Sequence, residues 1–330
     1  MFKNQRNYAE AIQSFQIALR SSGDDGITWL RLGEAYAGAG RYTASLKALA
    51  RAEKLLPGNQ ACQLQIAEVN RELGNLETSI ELLSEAISAN PSDAVLHAAR
   101  CTARLALARS EQAKGFLERG YTSCVTTVEE ALVTLNMEGP TARVVWKIIT
   151  DASLELSQKP LDDEIANLSA IGALSGVILQ LVEHKESLDQ RIMDLVDLDQ
   201  MLSACDGDDA QLDADSLAVK VSVAAANYAV HVAGNDDRAL GTACYDTAAA
   251  LFELASNHAT QMDPGRMADA KELAIEYVKR AIRAQSAEPL YWSCLGTLTI
   301  HTNPTLSQHA FIRAIQCESK VGWVSIHKSG

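Results

Sequence analysis

Laid against itself at a shift of 34 residues, the chain returns the same kind of residue in four columns. These are Ala18, Ala52 and Ala86; Ile12, Leu46 and Ile80; Phe15, Leu49 and Leu83; and Ala11, Ser45 and Ser79. Gly40 and Gly74 keep the same spacing, as do Pro57 and Pro91. Each pair has a mechanical role in a helix hairpin. Glycine ends the first helix where a positive φ is needed, and proline follows the second because it cannot continue it. Small residues in the alanine column let neighbouring helices approach, and the Ile/Leu/Phe columns fill the space between hairpins. One hairpin alone leaves an apolar face in water, so such units stack into a continuous core.

The second copy carries the tetratricopeptide (TPR) signature nearly complete: Trp29, Leu32, Gly33 and Tyr36, then Ala52 and Pro57 in register. The third keeps Gly74, Ala86 and Pro91 but has Gln63 and Asn70 where Trp and Tyr belong. From 92 to 117 a helix-pair pattern continues without the signature. The signature returns late, with Ala274, Val278 and Ala281 in a second helix and Trp292, Leu295 and Gly296 opening the next copy. Ala310, Phe311 and Ala314 then supply its second helix, one residue being lost in the turn at Asn303-Pro304.

Between these ends, amphipathic helices are expected over 121–136, 141–157, 166–205 (broken within), 216–233 and 239–258. Pro140, Pro160, Asp206-Gly-Asp208-Asp209 and Gly234-Asn-Asp-Asp mark the breaks. The expected fold is all-α, an α-solenoid of TPR-type hairpins regular at both ends and degenerate in the middle, with an independent helical domain there as the lesser alternative. Its parts are N-terminal repeats over 1–120, extended degenerate repeats with an acidic insertion over 121–258, and C-terminal repeats over 259–330. Both ends look cut. Met1 enters just before a second helix, and the chain stops near Trp323, where another first helix should begin, so a fragment of a longer protein is expected.

Composition agrees with helix packing: 47% of residues are apolar but only 5% aromatic. The seven cysteines contain no Cys-x-x-Cys pair, which argues against a disulfide framework and a zinc site. The N-terminus lacks the apolar stretch of a signal peptide. The uncharged run 165–182 is interrupted by Asn167, Gly172 and Gly176, and reads as a buried helix with Ile165, Leu168, Ile171, Leu174, Ile178 and Leu181 on one face. No membrane contact is expected. The net charge of −13 is concentrated: residues 161–220 hold 14 acidic against 3 basic groups, whereas residues 1–60 hold 5 acidic against 8 basic. Such a middle repels phosphates, so a direct nucleic-acid partner is not expected.

Catalytic patterns are absent from the sequence. The histidines form no His-Glu-x-x-His, and Gly38-Ala-Gly40-Arg41 lacks the Gly-Lys-Ser/Thr ending of a phosphate loop and sits where a TPR turn belongs. The Asp206 segment has Gln211 where a calcium loop needs glycine and Leu217 where it needs glutamate. No cofactor, metal or catalytic residue is assigned, and an enzyme is not expected. First-helix residues line the inner groove of a TPR array. The corresponding positions are Leu30, Glu34 and Ala37 in the second copy and Leu64, Glu68 and Arg71 in the third. Glu34 and Glu68 would repel an acidic C-terminal tail, leaving apolar or basic protein segments as the fit.

The segment from Trp29 through Leu56-Pro57 resembles a repeat of the superkiller protein 3 family, TPR scaffolds of the cytoplasmic Ski complex. So does Tyr291-Trp-Ser-Cys-Leu-Gly, followed by Asn303-Pro-Thr-Leu-Ser-Gln-His-Ala-Phe311-Ile-Arg-Ala-Ile315. The resemblance implies a non-catalytic scaffold that holds a DExH-box RNA helicase and WD40 subunits and assists the exosome in 3′–5′ mRNA decay. It also implies a cytoplasmic location, a nuclear pool being compatible. A TPR adaptor or co-chaperone of another complex, and the regulatory TPR part of a larger enzyme, are the other readings.

Overall fold

The computed structural model describes residues 2–139, 141–158, 163–205, 213–257 and 263–326. Pro140, Pro160, the Asp206–Gln211 segment, His258 and His327 lie outside the described residues. Within them the structure is all-α, built of TPR-type helix hairpins, and it divides into two compact units, 1–107 and 108–330.

The first unit contains α1 (Phe2–Ser21), α2 (Gly26–Gly38), α3 (Tyr42–Leu55), α4 (Gln60–Glu72), α5 (Leu76–Ala89) and most of α6 (Ala94–Ala113), within which the division falls. Local chemistry sets the helix starts. Asp25 accepts hydrogen bonds from the Ile27 and Thr28 amides, and Asn59 accepts one from Cys62, satisfying first-turn donors that have no partner inside the helix. The hairpin α2–α3 ends its first helix on Gly40, φ 73°, with the Arg41 amide donating to the Tyr36 carbonyl over 2.8 Å. Gly74, φ 82°, does the same for α4–α5, where the Asn75 amide reaches the Asn70 carbonyl. Only a residue without Cβ enters this left-handed closure at no steric cost. Gly38-Ala-Gly40-Arg41 is therefore a helix-closing turn. Pro57 and Pro91 follow the ends of α3 and α5, as their spacing predicts.

The second unit contains α7 (Leu117–Glu138), α8 (Arg143–Gln158), α9 (Glu164–Glu183), α10 (Gln190–Val196), α11 (Leu198–Cys205), α12 (Ala214–Ala233), α13 (Asp237–Asn257), α14 (Pro264–Ala284), α15 (Pro289–Thr299) and α16 (Pro304–Ile326). Its middle helix is α12, which packs on α8, α9, α10 and α13 and buries even Ser222 and Asn227. The broken helix expected over 166–205 is broken twice. A 3₁₀ turn at Lys185–Ser187 follows α9, and Asp197, φ 51°, separates α10 from α11.

Four expectations change. No helix pair lies within 92–117: α6 is one continuous helix, Ala94–Ala113, with the turn after it closed by Gly115, φ 89°. No new helix opens at Trp323, because α16 runs on to Ile326. Ala18, unlike fully buried Ala52 and Ala86, is exposed, since among the described residues no helix precedes α1 to pack on that face. The helix over 165–182 exists, but its buried face is Ala170, Ala173, Leu174, Val177, Ile178 and Leu181, whereas Ile165 is 81% and Leu168 63% exposed. The reason is geometric. Steps of three residues fall 60° short of a full turn, so nine residues carry the series to the opposite side of the helix. By length and composition alone α9 and α12 could cross a membrane, and α12, 78% buried over its most apolar stretch, is the core helix of its unit.

Candidate protein-binding surface

The signature residues form one repeated joint. Gly33 lets α2 approach α3 so closely that a Cβ there would stand 2.6 Å from the Leu49 side chain. Ser45, fully buried on α3, donates its hydroxyl to the Gly33 carbonyl over 2.7 Å, and Ser79 donates to the Ala67 carbonyl over 2.7 Å one repeat later. The Trp29 indole N–H donates to the Gly23 carbonyl, anchoring α2 to the preceding turn, while its ring packs beside Leu30, Leu32 and Ala52 at the edge of the core. Leu32 is 3% exposed, and Tyr36 is half-buried with its hydroxyl accepting from Gln16 Nε2.

The joint recurs in the last hairpin. Trp292 donates to the Ser286 carbonyl, Ser307 donates to the Gly296 carbonyl over 2.8 Å, and a Cβ at Gly296 would stand 2.7 Å from the Phe311 ring. The Ser–Gly separation is 11 residues here against 12 in α2–α3, which is the one-residue loss expected at Asn303-Pro304. Ala281, Leu295 and Ala314 are buried as their register requires, and Phe311 covers Gly296 while staying 36% exposed. The serines are the part of the joint whose role the sequence did not disclose. Ser45 and Ser79 stood in a column of small residues, and nothing in that column distinguishes a hydroxyl that bonds across helices from one that merely fits.

The structure places the six first-helix groove positions unequally. Leu30, 4% exposed, is part of the core between hairpins with Leu49, Ala52, Cys62 and Val69, and so supports the surface without presenting itself. Leu64 packs half-buried against the next cluster, and Ala37 against the first. Glu34, Glu68 and Arg71 remain reachable. Glu34 pairs with Arg31 at 2.8 Å, Glu68 accepts from Gln65 at 3.0 Å, and Arg71 pairs with Glu72. Burial holds the Glu68 carboxyl above its ordinary value against the pull of Arg71, and Glu34 adds to the rise. Two acidic groups one repeat apart, near enough to act on each other, make this face attractive to cations.

The second unit holds polar connections that no spacing announced. Lys147 on α8 lies 2.7 Å from Asp151 and 3.0 Å from Asp246 on α13, while Arg109 reaches Asp151 and Glu155. Burial pushes Asp246 up to about 6 despite the adjacent ammonium. Asn227 donates to the Tyr277 hydroxyl, which donates in turn to Asp189, tying α12, α14 and the cap of α10 together. Only Lys147 and Asp151, four residues apart, were visible locally. Among the described residues no disulfide joins the cysteines, and burial raises Cys244 and Cys294 to about 11, away from nucleophilic use.

Models of the tetratricopeptide repeat family match residues 2–60 and 61–93. Superkiller protein 3 of Schizosaccharomyces pombe is 27% identical over 312 residues, covering 93% of this chain and 21% of that protein. Superkiller complex protein 3 of Homo sapiens is 24% identical over 310 residues, covering 92% of this chain and 17% of that one. The resemblance to superkiller protein 3 thus runs through the irregular middle as well as both ends, and the chain spans about a fifth of the length of these relatives. Among solved structures, the TPR domain of P58(IPK) matches 96% of this chain and 94% of its own at 16% identity and a TM-score of 0.29. Human IFIT1 bound to m7Gppp-AAAA matches 96% of this chain and 58% of its own at 12% identity and a TM-score of 0.40.

Proposed function

We propose that this chain, which resembles superkiller protein 3 across nearly its whole length, is a non-catalytic scaffold of the Ski complex. In this role it holds a DExH-box RNA helicase and WD40 subunits in the cytoplasm and so assists the exosome in 3′–5′ mRNA decay. The observation that carries the reading is the extent of the resemblance: it covers 93% of the chain, far beyond the two repeats that match the general TPR models. A resemblance due to the repeat alone would stop where the repeat fades.

The chemistry supports a binding role. The acidic first-helix face around Glu34 and Glu68 favours a basic or apolar protein segment, because an acidic C-terminal tail would meet like charge there. Helix hairpins buried through Ala52, Ala86 and Ala314 give a rigid support for such contacts.

The test is purification of the tagged protein from its own cells at moderate salt, with mass spectrometry of what accompanies it. A DExH-box helicase and WD40 proteins in stable proportion are expected. Recovery of chaperones or an unrelated complex without the helicase overturns the Ski assignment.

A further inference from the structure

A second surface lies on the opposite side of α2 from Glu34, between the helices α1 and α3, and opens a groove of about 800 Å³. Its floor is apolar, made by Leu19, Leu32, Ala48 and the edge of Trp29. Ala44 and Ala48 contribute only small side chains to its α3 wall. Three cations stand on the rim, Arg20 from α1 and Lys47 and Arg51 from α3, and no carboxylate is among the described residues that line it.

The rim charges are available. Arg20 and Lys47 make no ion pair among the described residues. Arg51 holds Asp24 at 2.8 Å, but that carboxylate is 85% exposed, and an ion pair so open to water is readily exchanged for another. A protein of net charge −13 therefore carries, on one side of its first hairpin, a local site of the opposite sign.

We propose that this groove docks an acidic protein segment, with carboxylates on Arg20, Lys47 and Arg51 and one apolar side chain on the Leu19–Leu32–Ala48 floor. The polar atoms of both aromatic residues are already committed, Trp29 to the Gly23 carbonyl and Tyr36 to Gln16, and both rings are half-buried. Neither offers the open face on which a base would stack, and three cations on an acidic chain neutralise few phosphates, so a peptide fits this groove where RNA does not. The inference does not rest on the Ski reading: it concerns the other side of α2, and neither result above bears on it.

The test is fluorescence anisotropy on the whole chain at low salt, with a fluorescein-labelled peptide Gly-Glu-Glu-Leu-Glu-Glu-Gly as probe. Saturable binding below about 1 mM is expected, weakened at least roughly tenfold in the double variant Lys47→Glu, Arg51→Glu and unchanged in Lys114→Glu, which alters charge outside the groove. Melting temperatures establish that each variant folds, and Lys47→Gln, Arg51→Gln replaces the double reversal if that one does not. Absence of saturable binding, an affinity indifferent to Lys47 and Arg51, or tighter binding of oligouridylate at the same residues overturns the proposal.

Discussion

The hairpins from α2 to α5 and the helices α7, α8, α12 and α13 bury their interiors with different materials. The former are 13 or 14 residues long and close on a local device, a serine hydroxyl on a carbonyl 12 positions back. The latter run 16 to 22 residues and are joined by side chains distant in sequence, Lys147 to Asp246 across 99 positions and Ser222 to the Thr150 carbonyl across 72. Equal short helices stack in constant register, so one set of contacts serves every copy and the sequence must repeat. Once helices lengthen unequally, each pair meets at its own positions and no column survives. Fading of the repeat therefore records a change in helix length and not a loss of packing: Trp146, Ile149 and Ala152 on α8 are completely buried.

The largest expected effect sets the two regions' tryptophans against each other. Trp146 is 0% exposed, edge-on to Tyr228 at 4.8 Å, and carries no signature; Trp29 is the signature residue but only half-buried. Trp146→Ala should cost about 4–5 kcal/mol and Trp29→Ala about 3 kcal/mol by urea titration. A larger loss at Trp29 would make the repeat, rather than burial, the seat of stability.

A sharper contrast uses one residue type in two hairpins. Gly33→Ala pushes on Leu49, which is fully buried and has nowhere to go, and should cost about 2 kcal/mol. Gly296→Ala meets the Phe311 ring, which is 36% exposed and can swing outward, so the loss should stay under about 1 kcal/mol. Equal melting-temperature shifts would show that the C-terminal joint is as tightly held as the N-terminal one.

The smallest effect concerns the buried charges of the second unit. Asp246 is raised from 3.8 to about 6 by burial, opposed by Lys147 and Arg109 and reinforced by Asp151. The folded state therefore binds the proton more tightly than the unfolded chain. The stabilisation from this group is complete below 3.8 and lost as pH rises through about 6. Asp246→Asn cannot titrate, so its melting temperature relative to the wild type should climb across that window. A constant difference would mean that Asp246 ionises in the fold as easily as in water.

Much of the first unit was legible because its contacts are short in sequence. Gly40 and Gly74 could be assigned positive φ, and Pro57 and Pro91 helix ends, from backbone sterics alone. Helix existence in the middle was legible too: α8, α12 and α13 begin within two residues of the expected positions. Which face of a helix is buried was less so. Ile165 and Leu168 satisfied a three-residue rhythm yet point to solvent, because periodicity identifies apolar stripes and only a neighbour selects one. Of the groove positions, Leu30 shows the same gap, being a first-helix residue by register and a core residue by contact.

The sequence by itself determined the all-α class, the hairpin repeat, the glycine closures and the acidic balance, since each follows from local sterics or from composition. Tertiary structure decided which apolar stripe of α9 is covered, that Ser45 and Ser307 bond across their hairpins, and that Lys147 meets Asp246. It also brought Arg20, Lys47 and Arg51 to the rim of one groove. These depend on which helix lies beside which, and that choice is made by the fit of whole faces, a property no single segment carries.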